Sequence, residues 1–162
     1  MSRKIELSVK KGIYIAGVVN RLIADKIANH EEIKFLKVYE EASKICNAYR
    51  REVQRCYSLY RKVPPADEIR SQFVYDVPLS DVKNLGRVYR VTDACAAIWL
   101  NMYYMVSDCV KNRRMSYYEA LEYTADYYFI TFKTISLTIR KVNNYADSRD
   151  FRIKQKKAIQ TS

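Results

Sequence analysis

The apolar residues of this sequence recur every three or four positions through three long segments, and this spacing restricts those segments to helices. The most regular repeat follows Ser116, and its members are Tyr118, Leu121, Ala125, Tyr128, Phe132, Ile135, Ile139 and Val142. Such a spacing places every member on one face of a helix of about 3.6 residues per turn. Ser116 with Glu119 three residues later has the pattern of a capping box and predicts the start of this helix.

A second repeat predicts another long helix over residues 80–112, with Ser80 as its N-cap. Its members are Leu85, Tyr89, Thr92, Cys95, Trp99, Met102, Val106 and Cys109. Only the short basic turn 111–115 separates this helix from the one that begins at Ser116, so the two must run antiparallel. The sequence therefore predicts a helical hairpin over residues 80–143.

The third repeat lies nearer the start of the chain and predicts one continuous helix over Asn29–Lys62. Its apolar members are Phe35, Val38, Ala42, Ile45, Tyr49, Val53, Cys56 and Tyr60. Asn29 and Glu32 have the spacing of a capping box, and Pro64 and Pro65 end the pattern. This helix is the segment expected to cover the hairpin, unless a second copy of the protein does so.

The predicted fold class is all-α, with a body that is a helical hairpin or bundle and a basic N-terminal helical arm. Residues 1–62 form the arm, in which 1–11 are read as flexible or ordered by a partner and 12–28 as a short helix. Residues 63–79 form a linker, because all three prolines of the chain fall within it. Residues 80–145 form the hairpin of the bundle, and residues 146–162 form a basic tail.

Charge points to a polyanionic partner. The chain carries 29 Lys and Arg against 18 Asp and Glu, a formal net charge of +11. The surplus lies at both ends, with +7 in residues 1–62 and +4 in residues 149–162, while the middle is nearly balanced. A surplus of this size favours nucleic acid or an anionic membrane. A membrane-surface role for residues 12–28 is the less favoured of these, because the other helices have partners in a bundle.

The cations of the Asn29–Lys62 segment fall on the face opposite its apolar residues, over ~50 Å of helix at ~1.5 Å per residue. They are Lys34, Lys37, Lys44, Arg51, Arg55 and Lys62. Further candidate phosphate contacts are Lys10, Lys11 and Arg21 before this segment and Arg152, Lys154, Lys156 and Lys157 in the tail. Because no base-reading motif is present, binding is expected to be independent of nucleic-acid sequence. The alternative interpretation is a basic face that contacts only solvent.

The aromatic residues of the chain are mostly tyrosines, with 15 Tyr against five Phe and one Trp. Tyrosine suits surfaces that are buried yet wet, because its ring is apolar and its hydroxyl can form hydrogen bonds. The excess favours extensive contact with other proteins or with nucleic acid, although Tyr can also replace Phe and Leu in a core.

The sequence offers little catalytic or metal-binding chemistry. It has one histidine, three glycines and four cysteines without CxxC spacing, so no metal site, cofactor or catalytic residue is predicted. Within one helix, Cys46 and Cys56 would lie ~15 Å apart and could not bridge each other. A disulfide between helices stays open, although four thiols in a reducing cell are the preferred interpretation.

Targeting signals are not apparent either. The first residues are charged, unlike a secretory signal, and the longest apolar run, residues 94–106, is too short to span a bilayer. The expected location is a virion or the inside of a cell.

The order of these features resembles that of the major coat proteins of archaeal filamentous and rod-shaped DNA viruses. The features are the Lys34–Lys62 cations, Pro64 with Pro65, and the paired repeats at 85–109 and 118–142. In that family, paired copies clamp their N-terminal helices around duplex DNA, and their bundles pack outside as a helical shell. The resemblance implies a structural virion protein that works as a homo- or heterodimer within a filament.

An alternative from the residues alone is an intracellular all-α accessory protein that binds nucleic acid, or a small ribonucleoprotein subunit. On this alternative the protein would stay a discrete oligomer. The choice between DNA and RNA is left open by the sequence.

Overall fold

The computed structural model describes residues 3–148, and seven helices account for 73% helical content without any strand in that part of the chain. The predicted all-α class is therefore confirmed. The helices are α1 Arg3–Ala28, α2 Phe35–Cys46, α3 Arg50–Tyr60, α4 Leu79–Tyr89, α5 Asp93–Lys111, α6 Tyr117–Tyr127 and α7 Phe132–Ser148. The chain divides into two compact units, residues 1–72 and 73–162, which we call unit 1 and unit 2.

Each of the three predicted long helices is two shorter helices in the structure. The segment Asn29–Lys62 forms α2 and α3, residues 80–112 form α4 and α5, and residues 116–143 form α6 and most of α7. The prediction of uninterrupted helices was wrong at all three places. At the N-terminus the structure is more helical than predicted, because α1 includes residues 3–11, which were expected to be an arm that is flexible or ordered by a partner.

The breaks occur at residues with left-handed backbone, namely Asn47, Arg90 and Phe129, with φ of 49°, 55° and 54°. A left-handed residue ends a helix by turning the chain so that the next N–H reaches a carbonyl five residues back. These bonds are Ala48 N–H to Ser43 O at 3.1 Å, Val91 to Gly86 at 3.0 Å and Ile130 to Ala125 at 3.0 Å. Glycine usually occupies such positions, so its absence concealed the breaks from sequence analysis.

The predicted helix starts have mixed outcomes. At α6, Ser116 Oγ accepts from Glu119 N–H at 3.1 Å and Glu119 Oε1 accepts from Ser116 N–H at 3.4 Å, which confirms that capping box. The box predicted at Asn29 does not form, because the chain is not helical again until Phe35. Ser80 is not an N-cap, since α4 already begins at Leu79, after Pro78.

Unit 1 is a bundle of α1, α2 and α3. Lys11 Nζ lies 3.8 Å from Glu52 Oε1, and nine residues later Asn20 Nδ2 donates to Arg61 O at 3.0 Å, so α1 and α3 run in the same direction. A Cβ on Gly12 would lie 2.8 Å from the Tyr60 ring, which shows how closely these helices approach. The core that the three helices share consists of Ile15, Ala16, Val18, Val19, Val38, Ala42, Val53, Cys56 and Tyr57.

Residues 61–72, which we call the strap, return along α1 and belong to unit 1. Ala66 N–H donates to Gly17 O at 2.9 Å, and Arg70 N–H donates to the Tyr14 hydroxyl at 2.8 Å. At its end, Gln72 Nε2 donates to Ile45 O at 2.8 Å. Most of the first half of the predicted linker is therefore bound to the N-terminal helices.

Unit 2 is arranged around α5, which contacts α4, α6 and α7 and is buried continuously from Leu100 to Val106. The segment before α4 packs on the same helix, because Tyr75 N–H donates to Asn101 Oδ1 at 2.7 Å and the Tyr75 hydroxyl donates to Asp108 Oδ2 at 2.8 Å. Four shorter helices thus stand where two long antiparallel helices were expected.

We expect Arg90→Gly to raise the free energy of unfolding of the protein by about 0.5–1 kcal/mol, because glycine adopts φ near 55° without steric cost. Arg140 provides the matched control: it is exposed within α7, where the same substitution should lower the free energy of unfolding by about 1 kcal/mol. Urea unfolding followed by circular dichroism measures both changes. Equal destabilisation by the two substitutions would show that residue 90 is not left-handed in solution.

Candidate nucleic-acid interface

Seven of the predicted phosphate contacts in unit 1 are exposed and make no side-chain hydrogen bond or ion pair with any described residue. They are Lys10, Lys34, Lys37, Lys44, Arg51, Arg55 and Lys62. All seven were predicted as phosphate contacts, and the structure places them on the surface. Their side chains are therefore free to contact an anion without first breaking an interaction within unit 1.

The six predicted cations of the Asn29–Lys62 segment do not lie along a single rod, because the break at Asn47 separates the first three from the last three. Lys10 lies on α1. Arg51 and Arg55 are four residues apart, opposite the α3 face that buries Val53 and Cys56, and Lys62 follows just after the C-cap of this helix. Lys37 and Lys44 are seven residues apart and share one side of α2, with Lys34 at its N-cap. The predicted continuous ~50 Å track is thus replaced by two shorter cationic faces.

Two predicted contacts, Arg21 and Lys11, are engaged within unit 1. Arg21 Nη1 donates to Ala66 O at 2.9 Å and to Asp67 O at 2.7 Å, and its Nε lies 3.5 Å from Asp25 Oδ1. This guanidinium holds the strap, which is a structural role rather than the predicted phosphate contact. Outside the described residues lie the remaining predicted contacts, namely Arg152, Lys154, Lys156 and Lys157.

A groove of about 550 Å³ opens at the start of α3 and is lined by Tyr49, Arg51, Glu52 and Arg55. Sequence analysis placed Tyr49 in the apolar stripe of a continuous helix, yet its side chain is 85% exposed. The reason is the break, because Tyr49 caps α3 with extended backbone and no longer follows the helical periodicity. Asn47, a residue that tolerates left-handed backbone, was the one available signal for this turn.

The charge balance of the groove is positive. Two arginines and one carboxylate are among the described residues that line it, and that carboxylate, on Glu52, lies 3.8 Å from Lys11 Nζ. Two guanidiniums beside an exposed aromatic ring provide the two kinds of group that bind nucleic acids, namely forked donors for phosphate and a flat face for a base.

The thiols of unit 1 are not positioned as nucleophiles. Burial raises the pKa of the Cys46 thiol to about 12 and also raises the pKa of the Cys56 thiol, so both stay protonated at neutral pH. The two cysteines lie on α2 and α3 rather than on one helix, so the predicted ~15 Å separation along a single helix does not apply. No group of His, Cys, Asp or Glu in the described part of the chain is arranged to hold a metal ion.

Within residues 3–148, none of the helices combines the length and apolar character that crossing a bilayer requires. Comparison of the chain with models of protein families, with curated proteins and with solved structures found no match.

We expect Arg21→Gln to lower the free energy of unfolding by about 1–3 kcal/mol, because it removes the charged donor that holds two strap carbonyls. Lys10→Gln is the control, since Lys10 is exposed and unpaired among the described residues, and its loss should change stability by less than about 0.5 kcal/mol. Thermal unfolding followed by circular dichroism compares the two. A stability loss no larger for Arg21→Gln than for Lys10→Gln would contradict the role given to Arg21.

Proposed function

We propose that the protein is a structural nucleic-acid-binding protein that contacts the phosphate backbone through unit 1, independently of sequence and with duplex DNA as the favoured polymer. More specifically, it acts as a virion coat protein whose dimers assemble along the DNA into a helical filament. The observation that carries the proposal is the set of seven exposed, unpaired cations on unit 1.

The acidic residues of unit 1 support this proposal by their position. Residues 1–72 hold 15 Lys and Arg against nine Asp and Glu, a net charge of +6. Five of those carboxylates pair with other cations: Asp25 with Arg21, Glu31 and Glu41 with Lys26, Glu40 with Arg50, and Glu52 with Lys11. The seven cations have no carboxylate partner among the described residues. When such cations bind phosphates, the nucleic acid releases its counterions, and this release favours binding.

Lysine and arginine side chains on exposed helix faces suit backbone contact rather than base reading. They reach phosphates as point charges or forked donors, and such contacts carry no sequence information. Binding through these faces should therefore depend strongly on salt and weakly on sequence.

The coat-protein form is supported by the resemblance and by the surface of unit 2. A basic helical unit precedes a helical bundle, as in the coat proteins that the sequence resembles. On α6 of this bundle, the large side chains of Tyr117, Tyr118 and Tyr123 are 53%, 59% and 39% exposed. Exposed tyrosines suit wet contacts between copies of a protein, because ring and hydroxyl can both be satisfied there. The alternative of a discrete accessory protein or ribonucleoprotein subunit uses the same unit 1 contacts without filament assembly.

We expect the triple variant Arg51→Gln, Arg55→Gln and Lys62→Gln to bind duplex DNA more weakly, to a similar degree on every sequence. If all three contact phosphates, the slope of log affinity against log salt should become shallower by about 2.7, at about 0.9 per contact. Fluorescence anisotropy with two unrelated duplexes over a salt series measures both effects.

The matched control for that variant removes three exposed cations of unit 2, Arg87, Lys133 and Arg140, by the same change to Gln. Both variants have the same net charge, so a general charge effect would weaken them equally. If both variants lost the same DNA affinity, the interface would not be on α3. If the DNA affinity of the wild type did not depend on salt, the proposal of phosphate binding would be wrong.

Mixing the purified protein with long duplex DNA should produce extended filaments of uniform width, because a coat protein polymerises along its nucleic acid. Negative-stain electron microscopy with and without DNA provides the measurement. Small discrete particles in both samples would instead favour the accessory-protein alternative.

A further inference from the structure

The groove at the start of α3 has features that duplex backbone binding does not require. Among the described large apolar and aromatic side chains, Tyr49 is the most exposed, at 85%. Its backbone is nevertheless fixed, because Ala48 N–H bonds to Ser43 O at 3.1 Å, Ser43 Oγ donates to Ala48 O at 2.6 Å, and Val53 N–H bonds to Tyr49 O at 3.0 Å. The ring is thus presented to solvent on a short turn held by the ends of two helices.

Two guanidiniums line the same groove as this ring. Arg51 and Arg55 lie one helical turn apart, are exposed, and make no ion pair with a described residue. A guanidinium binds phosphate oxygens through two parallel N–H bonds, which fixes the orientation of the anion as well as its position. Two such groups at this spacing can hold one phosphate between them or two successive phosphates of a strand.

Glu52 completes the lining and provides an acceptor among these donors. Its carboxylate lies 3.8 Å from Lys11 Nζ on α1, so its charge is partly balanced from the other side. A carboxylate at the edge of a groove can accept a hydrogen bond from the amino group of a base, as acidic side chains do with cytosine.

The groove therefore combines an aromatic face, forked cations and one acceptor in about 550 Å³, which lies within the about 300–1,000 Å³ typical of small-ligand sites. We propose that it is a subsite for one unpaired nucleotide, whose base stacks on Tyr49 and whose phosphate is bound by Arg51 and Arg55. This inference rests on the proposed function and specifies its ligand at this position.

Unpaired bases are required because a duplex covers the faces of its bases. Within a double helix each base stacks on its neighbours, so an exposed protein ring finds no free face except at an end or a disrupted step. A single strand offers a free face at every base, and stacking on an aromatic side chain tolerates any sequence. The site thus predicts that single strands use an interaction at Tyr49 that duplexes do not.

Anisotropy with a labelled single strand and with a duplex of the same length tests this proposal on the full chain. Tyr49→Leu, which removes the ring but keeps an apolar side chain, should weaken single-strand binding by about fivefold to 150-fold, the range of one base–aromatic stack. Duplex affinity should stay unchanged. Tyr49→Phe keeps the ring and should bind single strands within about twofold of the wild type.

The control for ring removal is Phe35→Leu, which deletes another exposed aromatic ring, on α2 of unit 1, and should leave single-strand affinity unchanged. The double variant Arg51→Gln and Arg55→Gln tests the phosphate half of the site. It should make the salt slope for single strands shallower by about 1.4, at about 0.7 per contact.

Each outcome of these measurements either supports or contradicts the nucleotide subsite. Unchanged single-strand binding by Tyr49→Leu, or an equal loss on both polymers, overturns the subsite while leaving phosphate binding by unit 1 in place. Loss of self-association by Tyr49→Leu in analytical ultracentrifugation, with single-strand affinity intact, assigns the ring to a contact between copies and also overturns it. Failure of the proposed function itself has a different signature, namely a wild-type protein that binds neither polymer.

Discussion

The fold depends on residues that adopt left-handed backbone without being glycine. Five of them occur in the described part of the chain, at His30, Asn47, Arg90, Arg114 and Phe129, and each lies in a connection between successive helices of one unit. The glycines have the complementary role, since Gly12, Gly17 and Gly86 all lie inside helices at points of close approach. Left-handed backbone costs other residues about 1–2 kcal/mol each, so packing within the two units must offset this strain.

Sequence periodicity predicted the fold class but not the lengths of the helices, and the reason is physical. When two successive helices cover the same core, their apolar residues can keep a spacing of three or four across the turn that separates them. Tyr128 and Phe132 continue the repeat of residues 118–142, although the chain leaves the helix after Tyr127. Neither Gly nor Pro marks the turn, so the repeat concealed the break.

The part of the candidate site that depends on charge could be predicted from the sequence, whereas the part that depends on backbone geometry could not. Exposure of Lys37, Lys44 and Arg55 follows from their position opposite apolar residues on a helix. Exposure of Tyr49 follows only from the turn at Asn47, which nothing in the sequence signals except that asparagine itself. Arg21 was assigned to phosphate for its charge alone, whereas its nearest acceptors are carbonyls of the strap, more than 40 residues away in the sequence.

The charge on the surface of unit 1 depends on which cations pair with carboxylates and not only on the numbers of charged residues. Carboxylates lie beside Lys26, Arg50, Lys11 and Arg21, and these ion pairs are largely exposed. Each such pair contributes little to stability. Their larger effect is on the distribution of charge, because they neutralise some cations and leave others without a carboxylate beside them, among them Lys37, Lys44 and Arg55.

The hydrogen bonds of the strap determine how far a fragment of the N-terminal part of the chain must extend to keep the contacts of unit 1. A fragment that ended at Lys62, after the last predicted cation, would contain every helix of unit 1 but lose the carbonyls of Val63 and Ala66 and the amide that bonds to Gly17 O. Of its two acceptors, Asn20 Nδ2 would keep only Arg61 O, and Arg21 Nη1 would lose both of its strap carbonyls. A fragment that keeps every contact of the strap must therefore extend to Gln72, whose side chain donates to two carbonyls in the last turn of α2.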